Sequence, residues 1–304
     1  METPIRYARN GDVSIAYETF GDLTTGEPLL LIMGLDFQMV WWPDAFCHQL
    51  VEAGFAVVRF DNRDTGLSTH FESSGEKGSW REKLGLDKPV YSGLDMLADA
   101  TAVMDAVGWS DAHIVGGSMG ALLAQGMALV HPGRVRSLTS AMGLPVDAGT
   151  ARTMTYIDLG AMSKVGKIEP ASSREEEIEN LLVIYRAIAS PAYPFPEKWA
   201  REAAEISYER HPRDPDAIQR QLSAARDQKL PDLSTITAPT LVIAGEADPI
   251  IKIRAARDTA RRIPGATLVT YPGMGHNLPE ELWSDMIGHI KVVAGLGDPE
   301  SVAG

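Results

Sequence analysis

Short, mostly apolar runs recur along the 304 residues and constrain the fold more than any other feature of the sequence. The runs lie at residues 28–33, 55–60, 112–116, 135–142, 240–244 and 266–271. Apolar segments of this length that do not alternate with polar residues are typical of strands buried on both faces. Because such burial is the rule in parallel sheets, the runs predict a mostly parallel sheet that is covered on both sides.

The stretches between these runs carry helical patterns, in which apolar residues recur every three or four positions. The patterns lie at residues 42–53, 94–107, 121–130, 253–263 and 280–293. Residues 13–20 instead alternate loosely after a turn at Asn10, Gly11 and Asp12, which predicts a hairpin strand. The alternation of strands and helices predicts an α/β protein with a doubly wound sheet.

One long stretch interrupts this alternation. Residues 145–233 show helical patterns without a convincing strand, and proline-rich joints at 191–196 and 211–215 separate the pieces. We expect this stretch to form a helical cap, or lid, inserted into the sheet domain. The predicted domains are therefore a core of residues 1–144 and 234–304 and a cap of residues 145–233.

A Gly-x-Ser-x-Gly pattern occurs once, at residues 116–120, with Ser118 at its centre. An apolar run enters the pattern through Ile114 and Val115, and a helical pattern of small residues leaves it. This is the strand–turn–helix setting of a nucleophile elbow, in which a strained turn projects the serine hydroxyl above the sheet. Ser118 is accordingly the predicted nucleophile, although a glycine-rich turn with an idle serine would show the same five residues.

A serine hydroxyl attacks a carbonyl at neutral pH only when a base takes its proton, so a histidine is required nearby. Of the seven histidines, His276 follows the last predicted strand, on a loop that can reach the carboxyl edge of the sheet. Ligands bind at that edge in open α/β sheets, so we predict His276 as the base. An acid should follow the preceding strand; Asp248 and Glu246 both do, and the proline after Asp248 favours Asp248.

Six blocks spread over the predicted core carry a family resemblance. They are Trp-Pro-Asp at 42–44 with Phe46, Asp-Asn-Arg-Asp-Thr-Gly-Leu-Ser-Thr at 61–69, Ser-Met-Gly at 118–120, Pro-Thr-Leu-Val-Ile at 239–243, Asp-Pro-Ile at 248–250 and Pro-Gly-Met-Gly-His at 272–276. With these blocks the chain resembles the α/β-hydrolase superfamily, in its carboxylesterase and lipase branch, and within it the aclacinomycin methylesterase group. The resemblance implies the roles of nucleophile, acid and base for Ser118, Asp248 and His276. The predicted cap holds no matching block.

The resemblance also implies an oxyanion hole made of two backbone N–H groups. One donor is expected from Met119, the residue after the nucleophile. The other should come from the loop after the run at 28–33, where Leu35 is the candidate and Gly34 leaves room beside it. Many relatives carry His-Gly where this chain has Met33 and Gly34, which leaves the second donor open.

Aromatic and methionine side chains cluster after the first core run and again in the predicted cap. The predicted lining of a substrate pocket is Met33, Phe37, Trp41, Trp42, Met154 and Tyr185. Residues of the same kind that we expect to serve in part as packing between cap and core are Met39, Tyr156, Met162, Tyr193, Phe195 and Trp199. Such a pocket suits hydrophobic or aromatic small molecules. No lysine or arginine is evident as a partner for a charged substrate.

Charge and composition narrow the range of partners. The net charge of −13 disfavours nucleic acid, because an acidic surface repels phosphate backbones. No apolar run approaches the roughly 20 residues that span a bilayer, and no secretion signal is evident, so no membrane partner is expected. A single cysteine, Cys47, allows no internal disulfide and fits a cytoplasmic protein. No residue spacing suggests a metal site, no cofactor is expected, and nothing in the sequence indicates an oligomeric state.

These features together predict a serine carboxylic-ester hydrolase that acts through an acyl-enzyme on a small-molecule ester. A serine at the elbow argues against haloalkane dehalogenases and epoxide hydrolases, which use aspartate there. A carbon–carbon bond hydrolase and a cofactor-free perhydrolase would use the same three side chains, so both stay open. A ligand receptor built on the same scaffold, without appreciable turnover, is a further alternative.

Overall fold

A computed structural model of the chain describes residues 4–72, 90–158, 160, 171–226 and 230–302. An eight-stranded sheet runs through it in the spatial order β1-β2-β4-β3-β5-β6-β7-β8. The strands are β1 Arg6–Asn10, β2 Val13–Phe20, β3 Glu27–Ile32, β4 Phe55–Phe60, β5 Ala112–Gly117, β6 Val135–Ala141, β7 Thr240–Gly245 and β8 Thr267–Tyr271. The hairpin β1–β2 joins β4 antiparallel, whereas β3 to β8 pair in parallel. The strand order reverses between β3 and β5, and ligands bind at such a switch point.

Helices alternate with the strands of the sheet. Those that the structure describes are α1 Asp44–Glu52, α2 Gly93–Ala106, α3 Met119–Val130, α4 Thr150–Tyr156, α5 Arg174–Ile188, α6 Glu197–Arg210, α7 Pro215–Arg226, α8 Arg254–Arg262 and α9 Trp283–Val293. Short 3₁₀ turns lie at Met39–Trp41, Pro132–Arg134, Leu233–Thr235, Glu280–Leu282 and Pro299–Val302. Among the described residues, no helix combines the length and apolar character that a membrane crossing requires.

Alternate residues of β3 enter two different cores. Leu30 and Ile32 pack with residues of α2 and α3, whereas Leu29 and Leu31 pack on the other face with residues of α1 and α9. All four side chains are fully buried. Since both faces of the strand need apolar side chains, its sequence is continuously apolar, and the predicted doubly wound α/β sheet is confirmed.

Helices α4 to α7 lie between β6 and β7, in the stretch of the predicted cap, and we call residues 142–239 the helical insertion. Buried ion pairs fasten it to the loop after β4: Arg210 lies 2.5 Å from Asp61, and Arg220 lies 2.8 Å from Asp64. Both aspartate side chains are fully buried. Removing one partner of such a pair lowers the free energy of unfolding by about 3–5 kcal/mol, so these pairs hold the insertion against the loop after β4. The division into core and cap domains stays a prediction.

Candidate active site

Ser118 lies between β5 and α3 in a turn that close backbone contacts enforce. Its φ of 56° and ψ of −118° fall where residues other than glycine are uncommon. A Cβ on Gly116 would lie 2.0 Å from the carbonyl oxygen of Gly120, and a Cβ on Gly120 would lie 2.0 Å from that of Ile32. Only glycine at both positions lets β5, α3 and β3 approach this closely, and the strained turn between them presents the Ser118 hydroxyl.

The loops after β7 and β8 bring Asp248 and His276 to this hydroxyl. The Nε2 atom of His276 lies 2.9 Å from Ser118 Oγ, and its Nδ1 atom lies 2.6 Å from Asp248 Oδ2. Because an ionised carboxylate can only accept, Nδ1 carries the proton and Nε2 accepts from the serine hydroxyl. The structure therefore brings the three predicted side chains into one hydrogen-bonded line.

Backbone donors hold Asp248 in this orientation. Its second oxygen, Oδ1, accepts hydrogen bonds from the N–H groups of Ile250 and Ile251, both at 2.8 Å. Glu246, the alternative acid, instead accepts a hydrogen bond from the Thr270 hydroxyl at 2.9 Å on the exposed side of the loop. Asp248 is thus the carboxylate that reaches the imidazole.

The loop after β3 passes directly beside the serine. A Cβ on Gly34 would lie 3.1 Å from Ser118 Cβ and 3.6 Å from its Oγ, so this position leaves little room for a side chain. Leu35 and Met119 border the same cavity as Ser118. Met119 is the first residue of α3, where a backbone N–H has no acceptor within the helix. Both positions suit an oxyanion donor, and their assignment stays a prediction.

A cavity of about 1530 Å³ opens at Ser118 and extends under the helical insertion. The predicted lining residues all border it: Met33, Phe37, Trp41, Trp42, Met154 and Tyr185. Trp41 and Tyr185 lie with ring centroids 4.8 Å apart, and Trp199 and Phe195 pack behind them. Met162 lies outside the described residues. One wall of the cavity is therefore a packed aromatic cluster shared by core and insertion.

Charged side chains on another wall were not predicted. One of them is Arg213, which borders the cavity. Its Nε donates to Asp36 Oδ2 at 2.6 Å, which neutralises the guanidinium. Burial raises the pKa of Asp36 and also that of Glu177, whose carboxylate borders the same wall. Arg213 lies within a proline-rich joint, and nothing in the sequence signals its partner across the cavity.

Comparisons with known proteins agree with this architecture. The model of the alpha/beta hydrolase fold family matches residues 28–281. The chain belongs to the α/β-hydrolase fold family. It is 30% identical over 297 residues to rhodomycin D methylesterase of Streptomyces peucetius, an alignment that covers 91% of this chain and 93% of that one. The predicted resemblance to the methylesterase group is thereby confirmed.

Solved structures show the same fold. An esterase from Rhodococcus sp. ECU1013 superposes with a TM-score of 0.73 at 20% identity, covering 96% of this chain and 99% of that one. A hydrolase from Pseudomonas aeruginosa PA01 superposes with a TM-score of 0.70 at 23% identity, covering 96% and 98%. At these identities the likeness concerns the fold of the α/β hydrolase rather than its substrate.

Proposed function

We propose that this chain is a serine carboxylic-ester hydrolase whose nucleophile is Ser118. The observation that carries the proposal is the line of hydrogen bonds from Asp248 through His276 to Ser118, which ends at the floor of a largely apolar cavity. A serine placed in this way attacks carbonyl carbon. The similarity to rhodomycin D methylesterase supports an ester as the bond that is cleaved.

The reaction proceeds in two half-reactions. His276 takes the proton of Ser118 as the serine oxygen bonds to the ester carbonyl carbon, and the carbonyl electron pair moves to its oxygen. When that pair returns, the bond to the alcohol breaks and His276 gives its proton to the leaving alcohol. Water, deprotonated by the same imidazole, then attacks the acyl-enzyme and releases the acid and free Ser118. Asp248 keeps Nδ1 protonated and stabilises the imidazolium in both steps.

Two backbone N–H groups stabilise the oxyanion in this proposal, those of Met119 and Leu35. The first lies at the N-terminus of α3, where the helix dipole favours negative charge. The second belongs to the loop that runs beside Ser118 after Gly34. Losing one such donor costs about 2.7–4 kcal/mol of transition-state stabilisation, so both have a substantial share in the rate.

The substrates that fit the cavity best are hydrophobic or aromatic small-molecule esters. Trp41, Tyr185 and Phe37 offer a rigid apolar wall, which binds flat or bulky apolar groups with little loss of side-chain entropy. The helical insertion supplies much of this wall and closes the cavity over the sheet edge, which supports the role of a cap over the predicted core.

Hydrolysis of p-nitrophenyl esters of short, long and aromatic acids tests the proposal, with a vinylogous diketone as the carbon–carbon substrate. We expect turnover of the esters and a loss of at least about 10⁴-fold in kcat for Ser118→Ala. Ser137→Ala is the matched control, because Ser137 is a buried serine on β6 that bonds to His113 at 2.8 Å, away from the cavity. Full ester turnover by Ser118→Ala, or cleavage of the diketone alone, contradicts the proposal.

A further inference from the structure

A segment of the helical insertion lies against the back of the loop that carries His276. We call residues 188–193 the strap and residues 272–277 the histidine loop. The N–H of His276 itself donates to the carbonyl oxygen of Ile188 at 2.8 Å. The N–H of Ala192 donates to the carbonyl oxygen of Gly273 at 3.3 Å. The backbone of the histidine loop is therefore bonded to the insertion as well as to the sheet that it follows.

At two positions of the histidine loop the strap approaches too closely for the loop to carry a side chain. A Cβ on Gly275 would lie 2.6 Å from the carbonyl oxygen of Ala189. A Cβ on Gly273 would lie 2.3 Å from the Cβ of Ala192, and Gly273 also has a φ of +71°. Two glycines make this close fit possible, but they also leave the loop with a wide choice of backbone conformations. Something outside the loop must select the one in which His276 meets Ser118.

Ser190 of the strap contacts the histidine loop on both sides of His276. Its side chain is buried, with 6% of the residue exposed. Its hydroxyl oxygen accepts the N–H of Gly275 at 2.8 Å, and its hydroxyl proton goes to Asn277 Oδ1 at 2.6 Å. One hydroxyl of the insertion thus bonds to the residues immediately before and after His276.

We propose that Ser190 is a positioning residue for His276, through which the helical insertion sets the orientation of the imidazole. This inference rests on the proposed role of His276 as the base. Both hydrogen bonds of the ring require it to lie in line between Asp248 and Ser118, and small displacements of such a group cost rate steeply. The insertion is consequently part of the catalytic geometry at the strap, and it cannot lift from the histidine loop without displacing the base.

The test compares Ser190→Ala with Ser137→Ala, the control already described. Each variant loses one buried serine hydroxyl and one set of hydrogen bonds, but only Ser190 contacts the histidine loop. Besides Tm, two experiments are made. The kinetics of ester hydrolysis give kcat and KM, and two-bond 1H–15N spectra, assigned with His276→Ala, give the imidazole 15N shifts of His276. The imidazole shifts report the ring's protonation and hydrogen bonds whether or not an ester is turned over.

For Ser190→Ala we expect a fall in kcat of about 10-fold or more with little change in KM, as for a misplaced base. The Nδ1 and Nε2 shifts of His276 should move toward those of a mixture of tautomers. Ser137→Ala should lose a similar amount of Tm but keep the wild-type shifts of His276 and the wild-type kcat. If Ser190→Ala keeps the wild-type imidazole shifts, or a kcat equal to that of Ser137→Ala, the inference is overturned. Failure of the proposed function would differ, because wild type itself would hydrolyse no ester while the shifts still report on Ser190.

Discussion

The turn that carries Ser118 and the loop that carries His276 meet at one hydrogen bond, yet different parts of the chain hold them. The nucleophile turn, residues 116–120, is enclosed by β3, β5 and α3, and a Cβ at Gly116 or Gly120 would meet a backbone carbonyl of α3 or β3. The histidine loop is backed by the strap of the helical insertion, which lies far from it in sequence. The nucleophile is therefore held by core elements, whereas the loop of the base is bonded to the insertion as well as to the core.

This difference separates stability from activity. A side chain added at Gly116 or Gly120 of the nucleophile turn must disturb the packing of strands and helix, so its main cost falls on folding. A change at the histidine loop displaces one ring at the surface of the same sheet, so its main cost falls on the rate. Substitutions in the nucleophile turn and at the acid and the histidine loop measure this difference between stability and rate. One further substitution lies on a distant wall of the cavity.

Among the four substitutions that follow, Asp248→Asn should have the largest effect on rate. The amide can still accept the N–H groups of Ile250 and Ile251 through its oxygen, so the loop keeps its shape. Its NH₂ group would face Nδ1 of His276 and favour the tautomer that cannot accept the serine proton. We expect kcat to fall by about 10⁴-fold with Tm nearly unchanged. The control is Glu246→Gln, which removes a neighbouring carboxylate and should leave kcat unchanged. A loss of kcat under tenfold for Asp248→Asn would contradict the role of Asp248 as the acid.

On the serine side, Gly120→Ala should act on folding. The new Cβ would lie 2.0 Å from the carbonyl oxygen of Ile32, which belongs to a buried strand and cannot move aside. We expect a loss of about 3 kcal/mol or more in the free energy of unfolding, measured with urea. Gly126→Ala lies in the same helix, but the nearest atoms to its Cβ would be those of the Leu97 side chain, at 3.1 Å. That variant should stay within about 1 kcal/mol of wild type, and equal losses for the two would refute this explanation of the turn.

Gly275→Ala is the counterpart in the histidine loop. Its Cβ would lie 2.6 Å from the carbonyl oxygen of Ala189 in the strap. Because this distance exceeds the 2.0 Å at Gly120, we expect a smaller loss of stability than for Gly120→Ala. The ring of His276 should move with the loop, and kcat should fall by about 10- to 100-fold. Gly133→Ala, at a position open to solvent, controls for the gain of a methyl group. Unchanged kcat would show that the strap does not position the base.

The smallest effect should come from Glu177→Gln, on the cavity wall away from both segments. Burial raises the pKa of Glu177, so the folded state favours the protonated acid. Protonated Glu177 therefore contributes stability that is fully present below the ordinary carboxyl pKa, and this contribution is lost as the pH rises through the raised pKa of Glu177. Since glutamine stays neutral, the variant should match wild type in acid and have a slightly higher Tm at pH 7. The exposed Glu175→Gln is the control, and a lower Tm for Glu177→Gln at pH 7 would contradict the sign.

The core and the nucleophile turn were readable from the sequence because their determinants are local. Consecutive apolar residues mark each parallel strand, and the glycines that the turn needs are immediate neighbours of Ser118. His276 and Asp248 were predictable for a related reason, since each follows directly on a strand whose end must lie at the sheet edge. In each case the residues that determine the local structure are neighbours in the sequence, so the sequence pattern predicts it.

Contacts made by the helical insertion were not readable in this way. Helix α7 begins at Pro215, and the side that it buries includes the polar Arg220 and Gln221, where a sequence pattern of a packed helix would have apolar residues. Ser190 looks like any serine before a proline, because the partners of its hydroxyl lie in the loop after β8. The pair Asp36–Arg213 likewise joins two segments that only the folded chain brings together.

Covalent labelling tests the central claim most directly. Wild-type protein and His276→Ala would be treated with a fluorophosphonate, digested, and mapped by mass spectrometry, with the labelling rate followed over time. We expect one stoichiometric adduct on Ser118 in the wild type and a labelling rate lower by several orders of magnitude without the imidazole. An adduct on another residue, or equal labelling of Ser118 in the two proteins, would contradict a nucleophile activated by His276.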